Sequence, residues 1–349
     1  MHLFYSVRTP DILQQVTHSM PKAKMPANLT MADIARLAGV SPITVSRALA
    51  GSAAVRDETR KKIVRIAEEA GYRLNQAARN LRHQRSNTIA VVVEMTPSST
   101  RPMSEPYPLA LLGGIVQELS SANFTLSLST LATFAAAPGA VDGIILLGQG
   151  MHNDAVADIE RLGLPLVVWG AVRPDSRHVV VGSDNRDGGV LAADRMELLG
   201  RKRLVFLGDT EHAEVADRHE GFTSRLLDNG ATLLGTVPCE FSFVAGHDAM
   251  QELLNQHGNQ IDGVFASNDA IAMGAIRALA EEGRRIPRDV AVIGFDDSQS
   301  ASFFVPALTT VRQHWNEGGR LLARKALAAI QGEHAESEEM PVELIVRSS

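Results

Sequence analysis

The 349-residue chain has a single cysteine, Cys239. A lone thiol excludes an internal disulfide and a cysteine-rich metal site, and it fits a reducing cytoplasm. No His, Asp and Glu cluster at ligand spacing takes its place, so neither metal nor cofactor is expected. Long apolar runs are missing too. None approaches the roughly 20 residues of a spanning helix, so no membrane partner is expected. The first 28 residues do not read as a secretory leader, because Asp11 interrupts them and no small-residue cleavage site follows. Met20 and Met25 precede the first helix signal, and the natural start is expected at one of them, with residues 1–28 disordered or outside the natural chain. Also lacking are a Walker loop, a dinucleotide fingerprint after the first strand and a nucleophile elbow. These absences argue against an enzyme, and no catalytic residue is assigned.

What is present is an uneven charge. Residues 20–88 hold 13 Lys/Arg against 5 Asp/Glu, whereas residues 89–349 hold 20 against 34. A basic head on an acidic body suggests a polyanionic partner for the head alone. At this length two or three domains are expected, and 45% hydrophobic residues provide ample core.

The head begins with Thr30-Met31-Ala32-Asp33, a capping box that starts a helix. Ile34, Leu37 and Ala38 fall on one face, Gly39 stops the helix, and Val40 plugs the turn. Ser41 and Pro42 open a second helix as N-cap and first-turn residue. Val45, Ala48 and Leu49 point inward, leaving Pro42, Ile43, Thr44, Ser46 and Arg47 outside. Two short helices around a glycine turn form a helix-turn-helix, whose second helix enters the major groove of DNA. Hydroxyls there suit phosphates or base edges, Ile43 a thymine methyl, and Arg47 the O6 and N7 of guanine. A third helix is expected from Asp57, its N-cap, to Ala70, with Gly71 as C-cap and Ile63, Val64, Ile66 and Ala67 inward. Arg60, Lys61, Lys62 and Arg65 read as backbone neutralisers or solvated charges.

The run Asp33-Ile34-Ala35, Ala38-Gly39-Val40-Ser41, Thr44-Val45-Ser46-Arg47-Ala48-Leu49, Val55, Thr59-Arg60, Ile63, Ala67, Gly71-Tyr72 and Asn75 resembles the lactose/galactose repressor (LacI/GalR) family of transcription regulators. Ala50 and Leu74 depart from it, where the family often has Asn and Pro. The resemblance implies a hinge helix after Asn75, with Ala78, Arg79 and Leu81 on DNA and Leu81 as a minor-groove wedge. It also implies a homodimer on a near-palindromic double-stranded operator. DNA contacts are thus expected from Thr30, Ser41, Pro42, Ile43, Thr44, Ser46, Arg47, Asn75, Ala78, Arg79 and Leu81.

Beyond the linker, β-branched runs (Ile89–Val93, Thr125–Ser129, Gly143–Leu147, Pro165–Trp169, Val179–Val181, Leu204–Leu207, Val264–Ala266, Val290–Phe295) alternate with helical stretches. This predicts α/β architecture with doubly wound parallel sheets. The resemblance makes it a two-lobed, periplasmic-binding-protein-like effector domain, with three crossings near Leu199, Arg312 and Met340. Expected bounds are 29–74 for the all-α reader, 75–88 for hinge and linker, and 89–349 for the body. Its first lobe covers 89–199 and 313–340, its second 200–312 and 341–349. By resemblance, Arg218, Asn268 and Asp296 contact the effector. They suit a polyol, since Arg offers a donor fork, Asn donates and accepts, and carboxylate accepts. Asp184, Asp187, Tyr107 and Trp169 are further candidates, while Asp269 and Asp297 read as turn or cap residues. The resemblance points to a small saccharide effector and to repression of carbohydrate-utilisation genes, with a nucleobase or other metabolite as the alternative. A periplasmic sugar-binding protein would share the body but carry a leader and no basic head.

Overall fold

The computed structural model describes residues 29–72, 85–94, 106–150, 154–174 and 176–349. The hinge residues Asn75, Ala78, Arg79 and Leu81, and the expectation for residues 1–28, lie outside them. The chain divides into two compact units, residues 1–79 and 80–349.

In the first unit, α1 (Met31–Ala38), α2 (Pro42–Leu49) and α3 (Asp57–Glu69) enclose a small core of Ile34, Ala35, Ala38, Val45, Ala48, Val55, Ile63 and Ala67. The capping box is complete: the Asp33 amide donates to Thr30 Oγ1 at 3.3 Å, and the Thr30 amide donates to Asp33 Oδ2 at 3.0 Å. Donation from the Thr30 hydroxyl, and then from its amide, holds the Asp33 carboxyl below its ordinary range. Gly39, at φ +70°, ends α1 in the left-handed region that glycine tolerates. Ser41 Oγ accepts from the Thr44 amide at 3.2 Å and so starts α2.

Four local expectations need correction. Leu37 is 54% exposed, and Ala35 takes the inward place, because the 100° step of a helix puts residue 35 beside 34 and 38. Arg56, not Asp57, is the N-cap of α3, with no side-chain cap. Asp57 instead sits in the first turn, where it favours the helix dipole and pairs with Arg60 at 3.0 Å. Arg60 is not a free surface charge, since it donates to the carbonyls of Ser52 (2.9 Å) and Val55 (3.1 Å) and so fastens the loop between α2 and α3. At the far end Ala70 is the C-cap, and Gly71 follows it at φ +63°.

The second unit contains two six-stranded sheets. The first comprises β1 (Thr88–Val93), β2 (Thr125–Thr130), β3 (Gly143–Leu147), β4 (Leu166–Trp169), β5 (Val179–Ser183) and β11 (Glu338–Met340) in the order β11-β5-β4-β3-β1-β2, all parallel. Its helices are α4 (Pro106–Ser121), α5 (Leu131–Ala136), α6 (Asp154–Glu160) and α12 (Trp315–Gln331). The second comprises β6 (Arg203–Leu207), β7 (Thr232–Val237), β8 (Gly263–Ala266), β9 (Ala291–Asp296), β10 (Thr309–Arg312) and β12 (Glu343–Ile345) in the order β12-β10-β9-β8-β6-β7, with only β12 antiparallel. Here the helices are α7 (Asn185–Leu198), α8 (Ala213–Asp228), α9 (Phe243–His257), α10 (Asp269–Glu281) and the short α11 (Gln299–Phe303).

Alternation along the strands builds a core on each face of each sheet. Val91, Val93, Ile145 and Leu147 pack with α4 and α12, while Ala90, Val92, Ile144 and Leu146 pack with α5 and α6. In the second sheet Val205, Leu207, Val264 and Ala266 face α9 and α10, and Leu204, Phe206, Phe265 and Phe295 face α7 and α8. Both faces of parallel strands are thereby buried, as such sheets require.

The first crossing between lobes lies at Asp184, ahead of α7, and not near Leu199. Ala192, Ala193 and Met196 of α7 belong to the second lobe's core with Leu204 and Phe206, so the helix already packs on the new sheet. The other crossings run from β10 to α12 and from β11 to β12. The Asp184 amide donates to the Met340 carbonyl at 2.8 Å, tying two crossings together. Asp297 joins Arg312 (2.7 Å) and Arg347, and Arg312 also reaches Glu343. Burial opposes the charge of Asp297, yet the two arginines hold its carboxyl below the ordinary range.

Three helix pairs cross at mutual glycines. A Cβ on Gly114 would lie 2.0 Å from the Asn316 carbonyl, and one on Gly319 2.1 Å from that of Leu111. Gly189 and Gly221 do the same for α7 and α8, and Gly246 and Gly274 for α9 and α10. Backbone meets backbone at each crossing.

Candidate functional site

Two surfaces carry the chemistry. On the first unit, α2 presents Pro42, Ile43 and Arg47 to solvent and Thr44 and Ser46 at half burial, with Ile43 58% exposed. An exposed isoleucine among hydroxyls and a guanidinium is poor packing for a free domain but a suitable face for a base-lined groove. Ser41 and Thr44 hydroxyls lie 2.9 Å apart, and Thr30 Oγ1 donates to Asp33 Oδ2 at 2.6 Å. Thr30 and Ser41 therefore act first as helix caps, leaving Thr44, Ser46 and Arg47 as the side chains free of capping duty.

The second surface is an interlobe cleft of about 890 Å³ at the carboxyl ends of both parallel sheets. The strand order reverses there, between β1 and β3 and between β6 and β8, which is where doubly wound sheets leave a crevice. Tyr107, Trp169, Arg218, Asn268 and Asp296 all line it. Arg218 is only 6% exposed. It donates from Nε to Asn185 Oδ1 at 2.8 Å and from Nη1 to the Ser267 carbonyl at 2.6 Å, while its guanidinium lies 3.8 Å over the Phe295 ring. Asn185 is itself fixed by donation to the Ser183 carbonyl at 2.9 Å. The close crossing of α7 and α8 at Gly189 and Gly221 brings these two side chains together.

Asn268 caps α10, its Oδ1 accepting from the Ile271 amide at 2.8 Å. Asp296 sits at φ +117°, a region few side chains adopt, and accepts from Gln313 Nε2 at 2.7 Å. Asp269 is buried below it and accepts from the Ser298 amide (2.7 Å) and Thr310 hydroxyl (2.5 Å). Burial raises the Asp269 carboxyl well above its usual range, and the neighbouring charge of Asp296 adds to this. Asp269 and Asp297 are thus struts of the framework.

Asp184 and Asp187 do not line the cleft. Asp184 is the N-cap of α7, and its Oδ1 accepts from the Asp187 amide at 2.9 Å, which turns Asp187 outward. The same cap turns the following residue, Asn185, into the cleft. Trp169 is nearly buried, its ring lying where Gly318 leaves room, so it belongs mainly to the core. Sequence reasoning also overlooked Trp315, Phe241, His212, Gln149, Gln313 and Glu94 as lining. Trp315 could have been sought from the crossing after Arg312, which places the next residues at the cleft wall. It meets Tyr107 edge-on at 6.1 Å. Gln149 is pinned by two bonds to the Ala171 backbone, at 2.9 and 3.2 Å.

Cys239 lies outside the cleft lining, and burial together with nearby Asp209 pushes its thiol up to about 12. It is no nucleophile at neutral pH. No described helix is long and apolar enough to cross a membrane.

Both units of the chain match known proteins. Residues 30–75 match the model of bacterial regulatory proteins of the lacI family, and residues 193–349 match a periplasmic binding protein-like domain. The HTH-type transcriptional regulator CelR of Thermobifida fusca is 33% identical over 336 residues, covering 92% of this chain and 98% of that protein. A solved CelR–cellobiose complex is 30% identical with a TM-score of 0.70, covering 92% of this chain and all of that one. The lac repressor dimer bound to operator, at 23% identity, 92% and 98% coverage and a TM-score of 0.81, shares the fold. With its reader, its two-lobed body and a regulator of this kind aligned almost end to end, the chain belongs to the LacI family of DNA-binding transcriptional regulators, and it is not an enzyme.

Proposed function

We propose that the protein represses carbohydrate-utilisation genes as a homodimer on a near-palindromic operator, and that an uncharged saccharide in the interlobe cleft controls it. The carrying observation is the make-up of that cleft. Flat rings from Tyr107, Trp315, Phe241 and His212 stand beside the amides Gln149, Asn185, Asn268 and Gln313 and the carboxylates Glu94, Glu214 and Asp296. Rings cover the C–H faces of a sugar, and amides and carboxylates bind its hydroxyls. Among the described lining residues Arg218 is the one Lys or Arg, and it is already engaged by Asn185, Ser267 and Phe295. A sugar carrying phosphate or carboxylate would meet three carboxylates and an occupied guanidinium, so a neutral ligand fits better. The cellobiose bound to CelR supports the same class.

On DNA, Thr44, Ser46, Arg47 and Ile43 are the proposed groove contacts, joined by the hinge residues Asn75, Ala78, Arg79 and Leu81. Ligand can change DNA affinity only by binding two lobe arrangements unequally. The test is selection from pooled random duplexes at modest salt, with and without a panel of neutral sugars. Enrichment of a near-palindrome whose recovery changes with one sugar is expected. No enriched sequence, or enrichment indifferent to every sugar, refutes the reading.

A further inference from the structure

An outer chamber adjoins the main cleft, lined on one side by residues of the cleft itself. The two spaces share Tyr107, Phe241, Asn268, Asp296 and Trp315. Their boundary therefore carries an amide, a carboxylate and aromatic surface, which a ligand passing from one space to the other would touch continuously. Past this boundary the outer chamber has Met273 on one wall and Ser298 and Ser300 on another. The two serine hydroxyls lie 3.0 Å apart. A thioether gives an adaptable apolar surface, and paired hydroxyls both donate and accept.

Trp315 lines both spaces, meets Tyr107 edge-on, and has no partner for its buried indole N–H among the described residues, so it offers a ligand its ring surface rather than its N–H. Among the described residues, the ionisable side chains lining the outer chamber, Asp269 and Asp296, are both acids, so an anionic extension meets no counter-charge from them.

We propose that the effector has at least two sugar rings, uncharged, with the first in the main cleft and the second in the outer chamber against Met273, Ser298 and Ser300. This rests on the saccharide reading above and adds the ligand's length. Asn268 and Asp296 flank the linkage, and chain length becomes the property that the outer chamber reads.

Calorimetric titration of the full chain tests this, using neutral hexoses, the α- and β-linked disaccharides built from them, and hexose 6-phosphates. At least one disaccharide is expected to bind about tenfold or more tightly than its component hexose, since a second ring adds contact surface. Ser300→Trp and Met273→Trp are each expected to bring that disaccharide to the hexose level while leaving hexose binding unchanged. Ser300 is exposed, so its variant keeps the test sound if Met273→Trp fails to fold. Hexoses that bind as tightly as every disaccharide, with Ser300→Trp silent, overturn the two-ring proposal and leave the saccharide reading standing. Binding of phosphorylated sugars alone, or of no sugar, overturns both.

Discussion

Arg173 and Asp217 offer a direct perturbation of lobe closure. Arg173 follows β4 in the first lobe, and Asp217 lies on α8 of the second, one residue before Arg218. The guanidinium donates to both carboxylate oxygens at 2.8 Å and to the Ala213 carbonyl at 3.3 Å. Neither residue lines the cleft, so a change in effector affinity after their mutation must act through the lobes. The side chains are 35% and 15% exposed, between a surface pair and a buried one. Exposed pairs contribute about 0.2–1 kcal/mol, and removing one partner of a buried pair costs about 3–5. About 1–2 kcal/mol is the expected loss for Asp217→Asn, or a factor of roughly 5–30 in a two-state equilibrium. Arg173→Ala should cost more. Its guanidinium also faces Glu214 of the second lobe and Glu339 of the first, and without it these acids repel across the gap. Glu339 is already raised by burial and by Asp184 and Asp217. The assay is calorimetric titration with whichever neutral saccharide binds the wild type, at low and high salt. Weaker binding in the order Arg173→Ala, Asp217→Asn, wild type is expected, with the gaps narrowing in salt. Affinities within twofold of wild type at low salt, or a reversed order, refute a role for this ion pair in lobe closure.

Arg47→Ala should cost about 1–3 kcal/mol of discrimination per half-site if the guanidinium reads a guanine, measured as the ratio of specific to random-duplex affinity; an unchanged ratio removes that role. Asp269→Asn should alter the pH dependence of unfolding. The folded carboxyl holds its proton more firmly than the unfolded one, so its contribution is fully present below about pH 4 and is lost as pH rises through the raised folded value. Wild type should therefore lose stability relative to the variant as pH rises towards and past neutrality, and parallel pH curves would contradict this. Gly189→Ala should destabilise by about 1–3 kcal/mol or more, because the new carbon would sit 2.1 Å from the Arg218 carbonyl and 2.6 Å from the Phe222 amide. Gly139→Ala, which meets nothing within 4 Å, is the control for thermal melts.

The fold class was legible because two periodicities dominate the chain. The β-branched runs of the two sheets and the capping signals of the head are local, and local signals survive in sequence. β7 was harder to see, since an edge strand half exposed along its length carries no apolar run. The first crossing was misread because α7 looks the same whichever sheet it covers; only Met196 packing beside Leu204 tells which. Cleft residues followed the same division. Asn268 and Asp296 end strands, and strand ends can be read. The inward turn of Asn185 depends on Asp184 taking the cap, and the place of Trp315 depends on where the chain re-enters the first lobe.

The glycine crossings limit how the molecule can respond. Two helices whose main chains touch cannot rotate or slide past each other without parting, so each lobe resists being remoulded from within. Any displacement caused at the cleft has to be taken up where strands hand the chain over, around Asp184, Gln313 and Val342. Those three flexures, rather than the helix seams, are where altered signalling with unaltered ligand contacts should arise.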